Sequence, residues 1–318
     1  MSPHGHSFLI GDFGHNIGAL TLSPQNQAVG QPIIEQGEAN EDKHEVTTVR
    51  WSNDGNYVAI GFQGGRRKRG FIVWEAKDPM KWRPVKTMFG FGDGLRDLCW
   101  GPNNRYIAAI FYHNREMRIF NTSDWKVAKT IQCFADSDKV GNTQGGRHGC
   151  GSLDWNPITG IIAVGCGDGI VELWDPEDST MLGRFKREAN QTKYTNLTRI
   201  VRFGPLGQRI GSIETEFGNE IQIWDFNSGN LIRTIIAHKD PAKKKLIPTP
   251  INKLKWHPSG KYLVTASFND NAAEIYDVET GGRVERIRIK KPKDIGIDRL
   301  SGDMLFVGAT LNTKEYQL

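Results

Sequence analysis

The chain of 318 residues holds 36 glycines and 9 tryptophans, only 38% apolar residues, and a formal charge of +5. Glycine reaches positive φ without a Cβ clash, so this load calls for many tight turns and argues against a mainly helical fold. A charge this small admits an acidic partner without requiring one, and no window approaches the roughly 18 apolar residues that span a bilayer.

In chain order, strand-like segments come first at 8–10, 19–22 and 32–34. A pattern then recurs five times: a β-branched residue or leucine, one residue, an aromatic, then a turn. It reads Val49-Arg50-Trp51, Leu98-Cys99-Trp100, Leu153-Asp154-Trp155, Val201-Arg202-Phe203 and Leu254-Lys255-Trp256, with aromatics 49, 55, 48 and 53 residues apart. Each copy leads into a short apolar run, such as Tyr57-Val58-Ala59-Ile60-Gly61 or Ile161-Ile162-Ala163-Val164-Gly165. A third run closes on an aromatic and a polar residue: Trp74-Glu75, Phe120-Asn121, Trp174-Asp175, Trp224-Asp225 and Tyr276-Asp277. A weaker fourth strand follows several copies, as at 231–236, and about three more strands are predicted between Ile295 and the last residue.

Short strands grouped in units of about 40–45 residues that close on Trp-Asp are the mark of propeller blades. From 45 to 289 the chain resembles the WD40-repeat family. The resemblance implies an all-β fold: a single WD40-type β-propeller over 1–318, with blades of four antiparallel strands. Full repeats are expected at 45–94, 95–147, 148–195, 196–249 and 250–290, with incomplete blade material at 1–44 and 291–318. Seven blades are expected, or six if head and tail share one. In this family a buried network often joins a loop histidine, a strand hydroxyl, a turn aspartate and the blade tryptophan. The third copy alone looks equipped for it, with His148, Asp168 and Trp174 as structural residues.

The start of the chain has no basic segment leading into an apolar core, so no secretory signal is read and a cytoplasmic or nuclear location is expected. Cys99, Cys133, Cys150 and Cys166 form no C-x-x-C pair and are expected to pack as small apolar side chains. No nucleophile elbow or H-E-x-x-H pair occurs, and the glycine-rich stretch 141–147 lacks the G-K-[S/T] ending of a phosphate loop. No catalysis, cofactor, metal or small-molecule substrate is therefore expected.

The expected function is a protein-interaction scaffold, a subunit of a larger complex that grips partners through loops of one propeller face. The candidate contacts are cationic: Arg66, Arg67, Lys68 and Arg69 in the first blade, and His113 and Arg115 in the second. Arg147 and the run Lys243, Lys244 and Lys245 complete the set. Such groups hold carboxylates and phosphates through charge-assisted hydrogen bonds, so acidic peptides and RNA are the partner classes considered. The alternative is a nucleic-acid-associated propeller that uses the same basic loops.

Overall fold

The computed structural model describes residues 7–11, 17–22, 28–34, 45–63, 69–78, 81–111, 114–133, 149–186, 197–214, 218–239, 250–267, 269–290, 294–297, 304–308 and 313–317. Five four-stranded antiparallel sheets form the blades of an all-β propeller. Blade 1 consists of Glu45–Trp51, Tyr57–Gln63, Gly70–Glu75 and Arg83–Phe89. Blade 2 consists of Leu95–Trp100, Tyr106–Phe111, Glu116–Asn121 and Val127–Gln132. Blade 3 is built from Ser152–Trp155, Ile162–Gly165, Ile170–Asp175 and Thr180–Lys186. Blade 4 uses Thr198–Phe203, Arg209–Glu214, Glu220–Asp225 and Leu231–Ile236. Blade 5 uses Lys253–Trp256, Tyr262–Ser267, Ala272–Asp277 and Arg283–Arg288.

The expected count of seven blades, or six, is corrected to five. The chain ends supply only three strands each among the described residues. Ser7–Gly11, Ile17–Leu22 and Ala28–Ile34 pair with one another, as do Asp294–Ile297, Met304–Gly308 and Thr313–Gln317. Among the described residues neither set acquires the fourth strand of a blade, and head and tail do not share a sheet.

Why the repeat folds this way follows from burial. The second strand of each blade is buried almost throughout, so it reads as a continuous apolar run. The fourth strand is the outer edge and is largely exposed. Its cations, such as Lys86, Lys129, Arg184 and Arg286, discourage edge-to-edge pairing. In all five blades the pairing of third to fourth strand shifts register at the closing aromatic. The polar residue after it then caps the turn: Asp225 and Asp277 each accept a backbone N–H three residues on at 2.8 Å.

The hydrophobic core is divided between blade interfaces. Separate clusters join blades 1 and 2, 2 and 3, 3 and 4, and 4 and 5, and another joins blade 5 to Ile295 of the tail sheet. The approach is close at Gly165, where an added Cβ would lie 2.7 Å from the Thr198 carbonyl oxygen of the next blade. Two of the repeat aromatics lock their blades to the preceding one: Trp100 Nε1 donates to the Arg50 carbonyl at 3.1 Å, and Trp256 Nε1 to the Arg202 carbonyl at 3.0 Å.

Candidate functional site

The first strand of each blade lines the axis of the propeller. Side chains alternate along a strand, so residues two apart share a face. The residue before each repeat aromatic borders a central cavity of about 570 Å³; these are Arg50, Cys99, Asp154, Arg202 and Lys255. Two positions earlier stand Thr48, Asp97 and Ser152.

Asp97 is the hub of this arrangement. One carboxylate oxygen accepts from Arg50 Nη2 at 2.7 Å and from Thr48 Oγ1 at 2.9 Å, both in blade 1. The other accepts from Ser152 Oγ of blade 3 at 2.9 Å and from Arg202 Nη2 of blade 4 at 3.2 Å. Burial alone would raise the Asp97 pKa, but the two guanidiniums and two hydroxyls outweigh it and hold the value at about 2. One carboxylate thus ties four blades together. Asp154, deeper toward the repeat turns, has its pKa raised mainly by burial, although it accepts the Phe203 N–H at 2.8 Å.

Two further buried carboxylates sit inside blades, each two residues before the closing aromatic. Glu172 accepts from the Trp174 indole at 3.0 Å and pairs with Arg184 across the sheet at 2.9 Å. Glu274 accepts from the Tyr276 hydroxyl and pairs with Arg283 and Arg286. The same blade holds His238, whose Nδ1 lies 2.8 Å from Asp270 and whose Nε2 lies 2.9 Å from the Thr265 hydroxyl. Ligand-type atoms of His238, Asp270 and Glu274 lie within 4.8 Å of one another, a spacing a metal ion could span. Arg286 already bonds both carboxylates and Arg283 bonds Glu274, so added positive charge would be opposed. The group is a hydrogen-bond network in which one Asp270 oxygen, Oδ2, takes His238 and Arg286, while the other, Oδ1, is buried without a hydrogen-bond partner. It holds the loop entering blade 5 against the sheet, with the His238 backbone N–H donating to Glu274 at 2.7 Å.

Comparisons with known proteins agree with this geometry. Residues 139–175 match the family described as WD domain, G-beta repeat, and residues 243–307 match the anaphase-promoting complex subunit 4 WD40 domain. The chain is 21% identical over 77% of its length to WD repeat-containing protein slp1 of Schizosaccharomyces pombe, covering 43% of that protein. It is 23% identical to autophagy-related protein 16 of Arabidopsis thaliana over 42% of this chain and 23% of the relative. With the human F-box-like/WD repeat-containing protein TBL1Y it shares 23% identity over 45% of this chain and 27% of that one. The chain is a WD40-repeat protein. It spans less than half the length of each of these relatives.

As a WD40-repeat protein it carries the histidine–hydroxyl–aspartate network in blade 5, as His238, Thr265 and Asp270 with Tyr276 in place of tryptophan. The sequence pattern points to blade 3 instead. There Asp168 occupies a left-handed position, φ 57°, in the turn Gly167–Gly169, and Trp174 donates to Glu172; His148 lies outside the described residues. A signal for blade 5 is present in the sequence, because Asp270 precedes Tyr276 by the six residues that separate Asp168 from Trp174.

Most of the predicted cationic contacts, namely Arg66, Arg67, Lys68, His113, Arg147, Lys243, Lys244 and Lys245, also lie outside the described residues. Arg69 donates to the Gly92 carbonyl at 2.9 Å, which holds it against the segment entering blade 2. Arg115 takes a left-handed turn at φ 55°, and its carbonyl accepts the Cys133 N–H. All four cysteines are buried free thiols, and Cys150 and Cys166 bring their sulfurs to 3.2 Å. Hydrogen bonds from Cys133 and Cys166 outweigh burial and lower the Cys150 pKa to about 6, whereas burial pushes Cys133 and Cys166 well up.

Proposed function

We propose that this WD40-repeat protein is a non-catalytic interaction scaffold, a subunit of a larger multiprotein complex that binds its partners through loops of one propeller face. The observation that carries this reading is where the buried charge goes. Asp97, Glu172 and Glu274 are each bound by arginine and by neutral donors, all directed to joining strands and blades. Carboxylates held in this way act as frame elements that tie strands and blades together. The match to a domain described as part of an anaphase-promoting complex subunit supports membership of an assembly.

The test is a tagged purification at moderate salt, with and without nuclease. Protein partners that persist through nuclease and raised salt are the expected result. Loss of every partner on nuclease treatment would overturn the scaffold reading, since phosphate-backbone contacts weaken steeply with ionic strength.

A further inference from the structure

Blade 3 differs from its neighbours at one cross-strand position. The residue five before a repeat aromatic faces the residue four after that aromatic's partner in the second strand: Val46 and Phe62 in blade 1, Leu95 and Phe111 in blade 2, Thr198 and Glu214 in blade 4. In blade 3 Trp155 pairs with Ile162, and the same spacing sets Cys150 against Cys166. Their sulfurs lie 3.2 Å apart, inside the roughly 3.5–4.0 Å of ordinary contact between carbon atoms. Directly opposed antiparallel residues hold their Cα atoms about 4.5–5.5 Å apart, a separation that a disulfide spans. Packing does not require two thiols here, because the other blades fill the place without cysteine.

A third thiol, Cys133, follows the outer strand of blade 2 and belongs to the same buried cluster between blades 2 and 3. Cys150 is the middle member, since hydrogen bonds from both other thiols favour its thiolate, the nucleophilic form. We propose that Cys150 and Cys166 are an oxidisable dithiol site that takes hydrogen peroxide and closes to a disulfide within blade 3, with Cys133 left as a thiol. The Cys150 sulfur attacks one peroxide oxygen; an S–O bond forms, the O–O bond breaks, and the departing hydroxide takes up a proton and leaves as water. The Cys166 sulfur then gives up its proton and attacks the sulfenic sulfur of Cys150; the S–S bond forms, the S–O bond breaks, and a second water leaves. Two thiols are oxidised and one peroxide is reduced to two waters. The Cys166 carbonyl accepts the Thr198 N–H of blade 4 at 2.8 Å, so the oxidised link adjoins the seam between blades 3 and 4.

The experiment treats the folded full chain with hydrogen peroxide, unfolds it, alkylates the remaining thiols and maps the peptides by mass spectrometry. The expected result is one linked pair, Cys150 with Cys166, with Cys99 and Cys133 alkylated and the chain lighter by two hydrogens. Cys133→Ala should leave the link in place. Cys166→Ala in the Cys133→Ala background should abolish it and leave Cys150 as a sulfenic acid that dimedone captures. Oxidation in denaturing urea separates the fold from the chain. Cys150 stands 16 residues from Cys166 and 17 from Cys133, so the two closures cost nearly the same in the unfolded chain and the preference should vanish. Four thiols recovered free, a principal link from Cys150 to Cys133, or the same preference in urea would overturn the site.

Discussion

The substitution Asp97→Asn keeps the size of the side chain and removes its charge, which makes it a direct test of the hub at the propeller axis. The gap between the ordinary carboxyl value of 3.8 and about 2 in the folded protein corresponds to about 2.5 kcal/mol of stability at neutral pH. Removing one partner of a buried ion pair usually costs about 3–5 kcal/mol, because the other charge is left uncompensated. Arg50 and Arg202 keep 19% and 16% of their side chains exposed, so water offsets part of that cost and about 3 kcal/mol is expected. The sign of the pH effect is set by the depressed pKa. The contribution of Asp97 is full above the unfolded value of 3.8 and is lost as the pH falls through that value toward about 2. Urea unfolding of both proteins at neutral pH and at about pH 3 reads this out. The variant should be weaker at neutral pH, and at about pH 3 the difference should shrink by about 1 kcal/mol. A neutral-pH difference below about 1 kcal/mol, or one that persists unchanged in acid, would refute the hub.

Three other outcomes are expected. Gly165→Ala drives a methyl against the Thr198 carbonyl and should lower stability by about 1–3 kcal/mol, seen as a lower urea midpoint. His238→Ala leaves Thr265 and Asp270 without their ring partner and should cost about 1–3 kcal/mol, while Thr265→Val in the His238→Ala background should add less than it does alone; double-mutant melts measure the coupling. Mild hydrogen peroxide followed by peptide mapping should link Cys150 to Cys166, whose sulfurs already touch, and leave Cys99 open to alkylation after unfolding.

The blades are legible in the sequence because their repeat is physical. A buried second strand must be apolar throughout, and the turn after the closing aromatic needs a side-chain cap, so both recur at fixed places. The axis is legible in part. The residue before each repeat aromatic occurs five times in register, and strand alternation turns it to the axis, yet Asp97 carries no mark of its own. Its partners Arg50, Ser152 and Arg202 come from three other repeats, and only closure of the propeller brings them together. Tyr276 conceals the network of blade 5 because tryptophan is its usual sign, although a phenol hydroxyl can meet the same carboxylate. Blade number is not legible, because strand material at the ends shows how many strands form and not how they pair.

The link from Asp97 to Arg202 joins residues 105 apart and passes over an entire blade. Stacked repeats that touch only their neighbours can settle one after another as they leave the ribosome. Here the second blade emerges with its axial carboxylate partnered by blade 1 alone, and its full complement arrives only once blade 4 has been made. At about 5–20 residues per second, that interval is roughly 5–20 s. Until then Asp97 lacks Arg202, so the axial tie across the early blades can be completed only after blade 4 has been made.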